Sequence, residues 1–336
     1  MIDVPNSSLS HDHVNGVLWA FRFRGDGSAE KLVLPVHLSE IERVDGWIWL
    51  HFAINDQNAR QFVARFKGLT PNAIETLLSA DEHNRIGIDN GIVHGVFADL
   101  QRDLGGKTTE IGKLHFALND RLVVSMRRGY LHSVDAVRLK IEAGRSFNVA
   151  IRLLEEIVAH FSDAVQNVIT ETSETLDDIE DRILEKVTKK ERDALVPIRR
   201  LAMQIHRQLL SLRTLFHRLE WLDEDDEIPS GLARFAEKLA QRLDGLDHEA
   251  SILQDRTRLL QEEMDAKTNT AINSHLHLLS ILTALMLPPT LIAGIFGMNV
   301  KDLPLLETEN GFWYAMAIAA LTSLGAYYLM RRLDIA

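Results

Sequence analysis

The sequence predicts an α+β membrane protein: an N-terminal α/β domain, a long helical stalk and two C-terminal transmembrane helices. Three observations carry that prediction. Two apolar stretches without a formal charge, Leu278 to Val300 and Phe312 to Met330, lie near the end of the chain. Each is close to the roughly 20 residues that match the ~30 Å hydrocarbon core of a bilayer. Ahead of them no proline falls between about Leu232 and Pro288, so a single helix can run for roughly 60 residues, about 90 Å at 1.5 Å per residue. Strand-like alternation and dense turn chemistry are confined to the stretch before about Val134.

From Val17 to Arg24 apolar and polar residues alternate with the period of a half-buried strand. Leu32 to Val36, Trp47 to Phe52, Gly91 to Phe97, Lys113 to Leu118 and Arg121 to Met126 are further strand candidates. Asn119-Asp120 suits a two-residue turn between the last two. Asp56 to Phe66 reads as a helix. Thr70-Pro71 supplies an N-cap and a first-turn proline for a second, over Asn72 to Ser79. After about Val134 apolar residues recur at three and four; Phe147, Ile151, Leu154, Ile157 and Val158 form one stripe, continued by Val165 and Ile169. Pro197 predicts a break or a helix start. The acidic run Asp223 to Glu227, followed by Pro229-Ser230-Gly231, predicts the turn that closes a helical hairpin. That run suits a solvated loop, or a patch that concentrates cations. The long helix is charged from Asp255 to Lys267 and apolar from Leu276 to Phe296, so it passes from water into lipid. The domains then follow as 1–143 (α/β), 144–231 (helical hairpin), 232–275 (stalk), 276–298 (first transmembrane helix), 299–311 (outer loop), 312–330 (second transmembrane helix) and 331–336 (tail).

Composition bounds the chemistry. With 336 residues the chain is long enough for two domains. The net charge of −11 disfavours a nucleic-acid partner. There are 0 cysteines, so any metal must use oxygen or imidazole ligands. The polar, acidic stretch Met1 to Gly16 does not resemble a secretory signal. Arg331-Arg332 after the second span favours a cytoplasmic C-terminus, and an even number of spans puts the N-terminal body on the same side. No phosphate-binding glycine loop, metalloprotease helix or catalytic triad is visible, which argues against an enzyme.

The first span is two-faced. Asn273, Ser280, Leu287 and Gly294 are seven apart, as are Leu276, Thr283, Thr290 and Gly297, and the two series lie side by side on one face. Small residues and hydroxyls there fit helix packing in lipid. They also fit a pore wall built from several copies, in which leucine rings gate by dewetting. Pro288-Pro289 would free the carbonyls of Ala284 and Leu285, which then need a partner or a water-filled lumen.

The run from Leu291 through Gly297-Met298-Asn299, preceded by Pro288-Pro289-Thr290 and followed by a second span, resembles the CorA superfamily of divalent-cation transporters. The likeness covers the whole chain. It implies a homopentameric funnel with an inner ring of first-span helices, and Gly297, Met298 and Asn299 as the selectivity motif at the outer mouth. The family's pore positions fall on Asn273, Leu276, Leu279, Leu287, Thr290 and Asn299; spacing adds Ser280, Thr283 and Gly294. Within the superfamily the chain is more similar to the zinc-linked ZntB-like branch, at Trp49-Leu50-His51-Phe52, Pro71-Asn72 and Asp120 to Arg127. Val300-Lys301-Asp302-Leu303-Pro304 lacks the Met-Pro-Glu run often seen in magnesium-type members.

The resemblance implies transport of Zn2+, or of Mg2+, Co2+ or Ni2+, across the cell inner membrane, with no cofactor. Neutral Asn299 amides can hold an ion's water shell weakly enough for release. Asp302, Glu307 and Glu309 would focus cations at the mouth, or form a solvated loop. His275 and His277 are candidate metal ligands, though two-residue spacing puts them on different helix faces; otherwise they are interfacial polar groups. His11 and His13 sit in the N-terminal tail, and His206 and His217 suit surface or inter-helix positions. A membrane-anchored scaffold or sensor is the alternative from another class.

Overall fold

The computed structural model describes residues 13–37, 39, 41, 45–101, 110–185, 187–220, 231–298 and 310–332. These fall into two compact units, one spanning Met1–Arg182 and Asp193–Arg258, the other Ile183–Arg192 and Leu259–Ala336.

The first unit is built on a seven-stranded sheet ordered β3-β2-β5-β9-β8-β7-β6. Its strands are β2 (Val17–Phe23), β3 (Ala29–Lys31), β5 (Trp47–Ala53), β6 (Arg85–Asp89), β7 (Ile92–Gln101), β8 (Glu110–Leu118) and β9 (Leu122–Arg127). Two short strands, β1 (His13–Val14) and β4 (Val36–His37), pair separately. Every pairing in the large sheet is antiparallel except β5 with β9. That parallel pair exists because the chain leaves β5, forms two helices and three strands, and returns as β9 beside it.

Period-two alternation gives the sheet two apolar faces. Ile48, Leu50, Phe52, Leu122, Val124 and Met126 bury one face against Ala59 and Val63 of α1 (Gln57–Arg65) and Ala73 and Leu77 of α2 (Pro71–Leu78). Asp56 caps α1 by accepting from the amides of Asn58 and Ala59, and Thr70 caps α2 with Pro71 at its first position, as predicted. The opposite face carries Trp19, Phe21, Phe23, Trp47, Trp49 and His51. The Phe23 and Trp47 rings stack at 3.8 Å, and Trp19 stacks on His51 at 4.1 Å. Ser125 Oγ accepts the Trp49 indole N–H at 2.7 Å and bonds His51 Nδ1 at 2.7 Å. Complete burial, with Arg127 and Arg138 nearby, holds the His51 pKa well below the usual range.

Beyond this face lie α3 (His132–Glu142), α4 (Ala150–Glu185), α5 (Lys189–Glu220) and the first part of α6 (Leu232–Phe296). The N-cap of α3, Leu131, has no capping side chain. Asp99 of β7 does that work from across the sheet, accepting from the Ser133 amide at 3.1 Å and the Ser133 hydroxyl at 2.6 Å. Cross-links between α4 and α6 keep a near-constant offset: Lys238 to Glu155, Glu249 to Gln166, and Arg256 to Asp177. Those two helices therefore run parallel, with α5 antiparallel between them in sequence. Such exposed pairs set register more than stability.

Several expectations change. Of Leu32 to Val36 only Val36 is in a strand, because the Pro35 ring cannot donate to a ladder. Pro197 lies inside α5 and neither breaks nor starts it; the chain between α4 and α5 turns ahead of Lys189. Strand β6 and helix α3 were not foreseen. The β6–β7 turn uses Asn90 at φ +50° and Gly91 at φ +74°, the left-handed pair a tight hairpin requires. Asn119 Oδ1 closes the β8–β9 turn by accepting from Arg121 and Leu122. The acidic run Asp223 to Glu227 lies outside the described residues.

Burial raises the Asp99 pKa to about 6 against its hydrogen bonds. A carboxyl whose folded pKa exceeds its unfolded value stabilises most below the unfolded value, and that contribution is lost as pH rises through about 6. Asp99→Asn, which keeps the acceptor, should flatten the stability difference across this window by on the order of 2 kcal/mol. Urea unfolding at pH 4, 5, 6 and 7 on both chains measures it.

Candidate functional site: the apolar helix pair

The second unit contains the apolar part of α6 and all of α7 (Gly311–Arg332), the two helices long and apolar enough to cross a membrane. α6 is unbroken for 65 residues and contains both Pro288 and Pro289. Proline removes the bond that its own N–H would make to the carbonyl four residues back, and hydrocarbon supplies no water as a substitute. The Leu285 carbonyl, freed by Pro289, instead accepts from Ser323 Oγ of α7 at 3.4 Å, a long and weak bond.

The helices meet through a small-residue face. On α7, Ala315, Ile318, Ala319, Ser323 and Ala326 are half-buried at three- and four-residue spacing, and Met330 is buried. On the apolar part of α6 the half-buried positions are Ile281, Ala284, Leu285, Pro288, Pro289, Ile292 and Phe296. Small side chains let the two backbones approach.

The heptad stripe lies on the other side of α6. Asn273, Leu276, Leu279, Ser280, Thr283, Leu287, Thr290 and Gly294 are all exposed. At about 100° per residue their mean direction is roughly opposite the α7-facing side. A shallow hollow of about 920 Å³ runs along Thr283, Leu287, Thr290 and Gly294, with Met286 and Met298 at its border. The stripe hydroxyls donate back into their own helix: Ser280 to Leu276 O at 2.9 Å, Thr283 to Leu279 O at 2.8 Å and Thr290 to Met286 O at 2.7 Å. Gly297 ends the helix, its amide bonded to Ala293 O at 2.9 Å. A Cβ there would lie 3.0 Å from that same oxygen, a tight fit that favours glycine.

Asn299, Asp302, Glu307 and Glu309 lie outside the described residues. His275 and His277 are exposed, and no group of three or more potential metal ligands occurs among the described residues. In the first unit His206 and His217 are inter-helix residues, with His206 Nδ1 at 3.1 Å from Asp247 and His217 Nε2 at 3.2 Å from Asp244. Ser323 was not singled out by sequence reasoning. The signal that could have found it was a hydroxyl in an apolar helix opposite a predicted pair of freed carbonyls.

Residues 44–332 match the family described as CorA-like Mg2+ transporter protein. The chain belongs to that family. Its members are transporters and not enzymes. This CorA-like chain is 23% identical over 295 residues to the divalent cation transporter CmaX of Pseudomonas aeruginosa, covering 85% of this chain and 86% of that one. It is 23% identical over 327 residues to the zinc transport protein ZntB of Pectobacterium carotovorum, covering 94% and 95%. Its fold is similar to that of full-length CmaX, with a TM-score of 0.78 at 21% identity over 97% of this chain and 99% of that one. It is also similar to that of the CorA magnesium transporter from Methanocaldococcus jannaschii, with a TM-score of 0.74 at 17% identity over 94% and 97%. The α/β domain, the long helix and the apolar C-terminal pair are therefore the family's fold.

Ser323→Ala should weaken the α6–α7 pair by about 0.6 kcal/mol, the average for a hydrogen bond between helices in a membrane. Ser323→Thr, which keeps the hydroxyl, should not. Reversible unfolding in mixed micelles would read the difference.

Proposed function

We propose that this chain carries a divalent cation, zinc first, across the cell inner membrane through a pore formed by five copies. The observation that carries the proposal is the heptad stripe. It is exposed along an apolar helix and faces away from the only other apolar helix described. The protons of its hydroxyls are satisfied within the helix, but the lone pairs of a row of oxygens turned away from α7 are not, which supports further copies around a shared wet axis. In that arrangement Leu276, Leu279 and Leu287 are rings that gate by dewetting, and Ser280, Thr283 and Thr290 are wetted steps between them. Asn273 and Gly294 mark the inner and outer ends of the stripe.

Gly297, Met298 and Asn299 then form the outer mouth. Five neutral amides bind a hydrated ion through its water, without the tight grip of carboxylates that would slow release. Asp302, Glu307 and Glu309 raise the local cation concentration outside. Arg331 and Arg332, in the last turn of α7, set the cytoplasmic side. His275 and His277 sit just inside the membrane face, where one of them per copy meets the emerging ion.

Zinc is favoured by the ZntB relatives and by the ZntB-like motifs at Trp49 to Phe52 and Asp120 to Arg127. Magnesium is the second reading, supported by the family's description and the intact Gly297-Met298-Asn299. Competitive flux of zinc, magnesium, cobalt and nickel into liposomes ranks them. In the same assay Asn299→Ala should reduce flux at least about tenfold while the purified particle keeps its mass, since one ring of ligands worth ~1.4 kcal/mol accounts for that factor. Normal flux through a correctly assembled Asn299→Ala pentamer sinks the assignment. A wild-type particle that is a monomer and passes no metal reduces the chain to a membrane-anchored body.

The energy source has its own test. Neither apolar stretch, Leu278 to Val300 or Phe312 to Met330, contains Asp, Glu, His or Lys, so no proton relay crosses the membrane within them. Any coupling must use the mouth carboxylates or His275 and His277. Zinc uptake with the internal pH clamped should be the same with and without an imposed pH gradient if the ion simply follows its own. An acceleration by an inward proton gradient assigns coupling to those end groups.

A further inference from the structure

The turn between α4 and α5 belongs to the same compact unit as the membrane helices. It is tied to α6 by Lys267, whose ammonium donates to the Ile183 carbonyl at 3.1 Å, and by Arg192, which donates to Thr268 at 2.8 Å. Lys267 lies nine residues before Leu276, where the apolar run of α6 begins; that is about 14 Å along the helix. The headgroup layer takes up roughly 6 Å of this distance. What remains is about one Debye length at physiological salt.

The turn combines an exposed apolar side chain with a basic pair. Leu184 is 66% exposed. Thr188 caps the start of α5, its Oγ1 accepting the Lys190 amide at 3.2 Å and donating to the Glu191 carboxylate. Between them stand Lys189 and Lys190, both exposed, neither with an ion-pair partner among the described residues. Cations in a first helical turn face the positive end of the helix dipole, so the helix itself gains nothing from them. The whole chain has a net charge of −11 and is repelled by an anionic surface, which makes an unpaired basic pair at this height informative. Arg331 and Arg332 add to it: eight residues beyond Ser323, which sits beside Leu285, they come level with the start of the apolar run of α6.

We propose that this turn is a lipid-docking element: Lys189 and Lys190 bind anionic headgroups of the cytoplasmic leaflet and Leu184 enters the interface. The inference rests on the membrane-hairpin reading above. An exposed leucine beside two free ammonium groups is the composition that an anionic interface attracts, apolar burial and charge acting together. It also explains why the turn carries charge of the sign its own helix disfavours.

The chain has 0 cysteines, so Leu184→Cys labelled with an environment-sensitive fluorophore reports on one position. The labelled protein is placed in nanodiscs of phosphatidylcholine, with or without phosphatidylglycerol, containing a headgroup-attached nitroxide. Quenching should be several-fold stronger in the anionic discs, roughly fivefold per lysine at low salt, and should fall to the neutral level in ~0.5 M salt. Lys189→Gln/Lys190→Gln should abolish the preference without changing thermal unfolding. Equal quenching in both discs overturns the proposal. So does a label that is equally shielded in lipid-free micelles, which would mean that the turn packs against a second copy. A chain that does not enter the discs at all overturns the membrane hairpin itself, and this inference with it.

Discussion

The backbone of α6 must satisfy its own hydrogen bonds where no water can reach it, and the rest of the membrane half follows from that. Two adjacent prolines break the rule at Ala284 and Leu285. The chain answers with Ser323, a hydroxyl from the neighbouring helix, aimed at the Leu285 carbonyl. This answer requires α7 to lie against the proline-bearing side of α6. It therefore fixes which side of α6 is left open. The open side is the one carrying Ser280, Thr283, Leu287, Thr290 and Gly294. The small-residue contact, with this weak hydrogen bond as one part of it, thus sets which way the polar stripe faces relative to α7.

The first unit obeys the same accounting in a different setting. Asp99 reaches from β7 to the orphan amides at the start of α3, and Ser125 serves both Trp49 and His51 within an otherwise apolar layer. In each case a short polar side chain on the sheet satisfies a group that burial would leave stranded. The cost appears in the titration of those groups: the Asp99 carboxyl is pushed up and the His51 imidazole down. Both therefore favour their neutral forms inside the fold.

Much of this was legible in the residues. Strands β2, β5, β8 and β9 follow from alternation, and α1 and α2 from their caps, because each signal is local. The long helix and the two spans follow from proline spacing and the absence of charge. Strand β6 was missed because Arg85-Ile86-Gly87-Ile88-Asp89 is polar at its ends and sits at a sheet edge, where only one neighbour is needed. Helix α3 was missed because its cap comes from Asp99, 33 residues before the start of the helix. Pro197 misled because, as the ninth residue of α5, it removes only the one bond its own N–H would make to the Asp193 carbonyl, and the rest of the ladder carries the helix through. The heptad stripe was visible from spacing. Its direction relative to α7 was not, since that depends on which side chain meets the freed carbonyl.

The hydroxyls of the stripe have already spent their protons. Ser280, Thr283 and Thr290 each give theirs to a carbonyl of the preceding turn. What each oxygen still offers is lone pairs. A wall lined this way can accept from the water shell of a cation, whose hydrogens point outward, and has nothing to donate to an anion. Discrimination by the sign of the ion would then be written into helical geometry, ahead of any ligand that tells one metal from another.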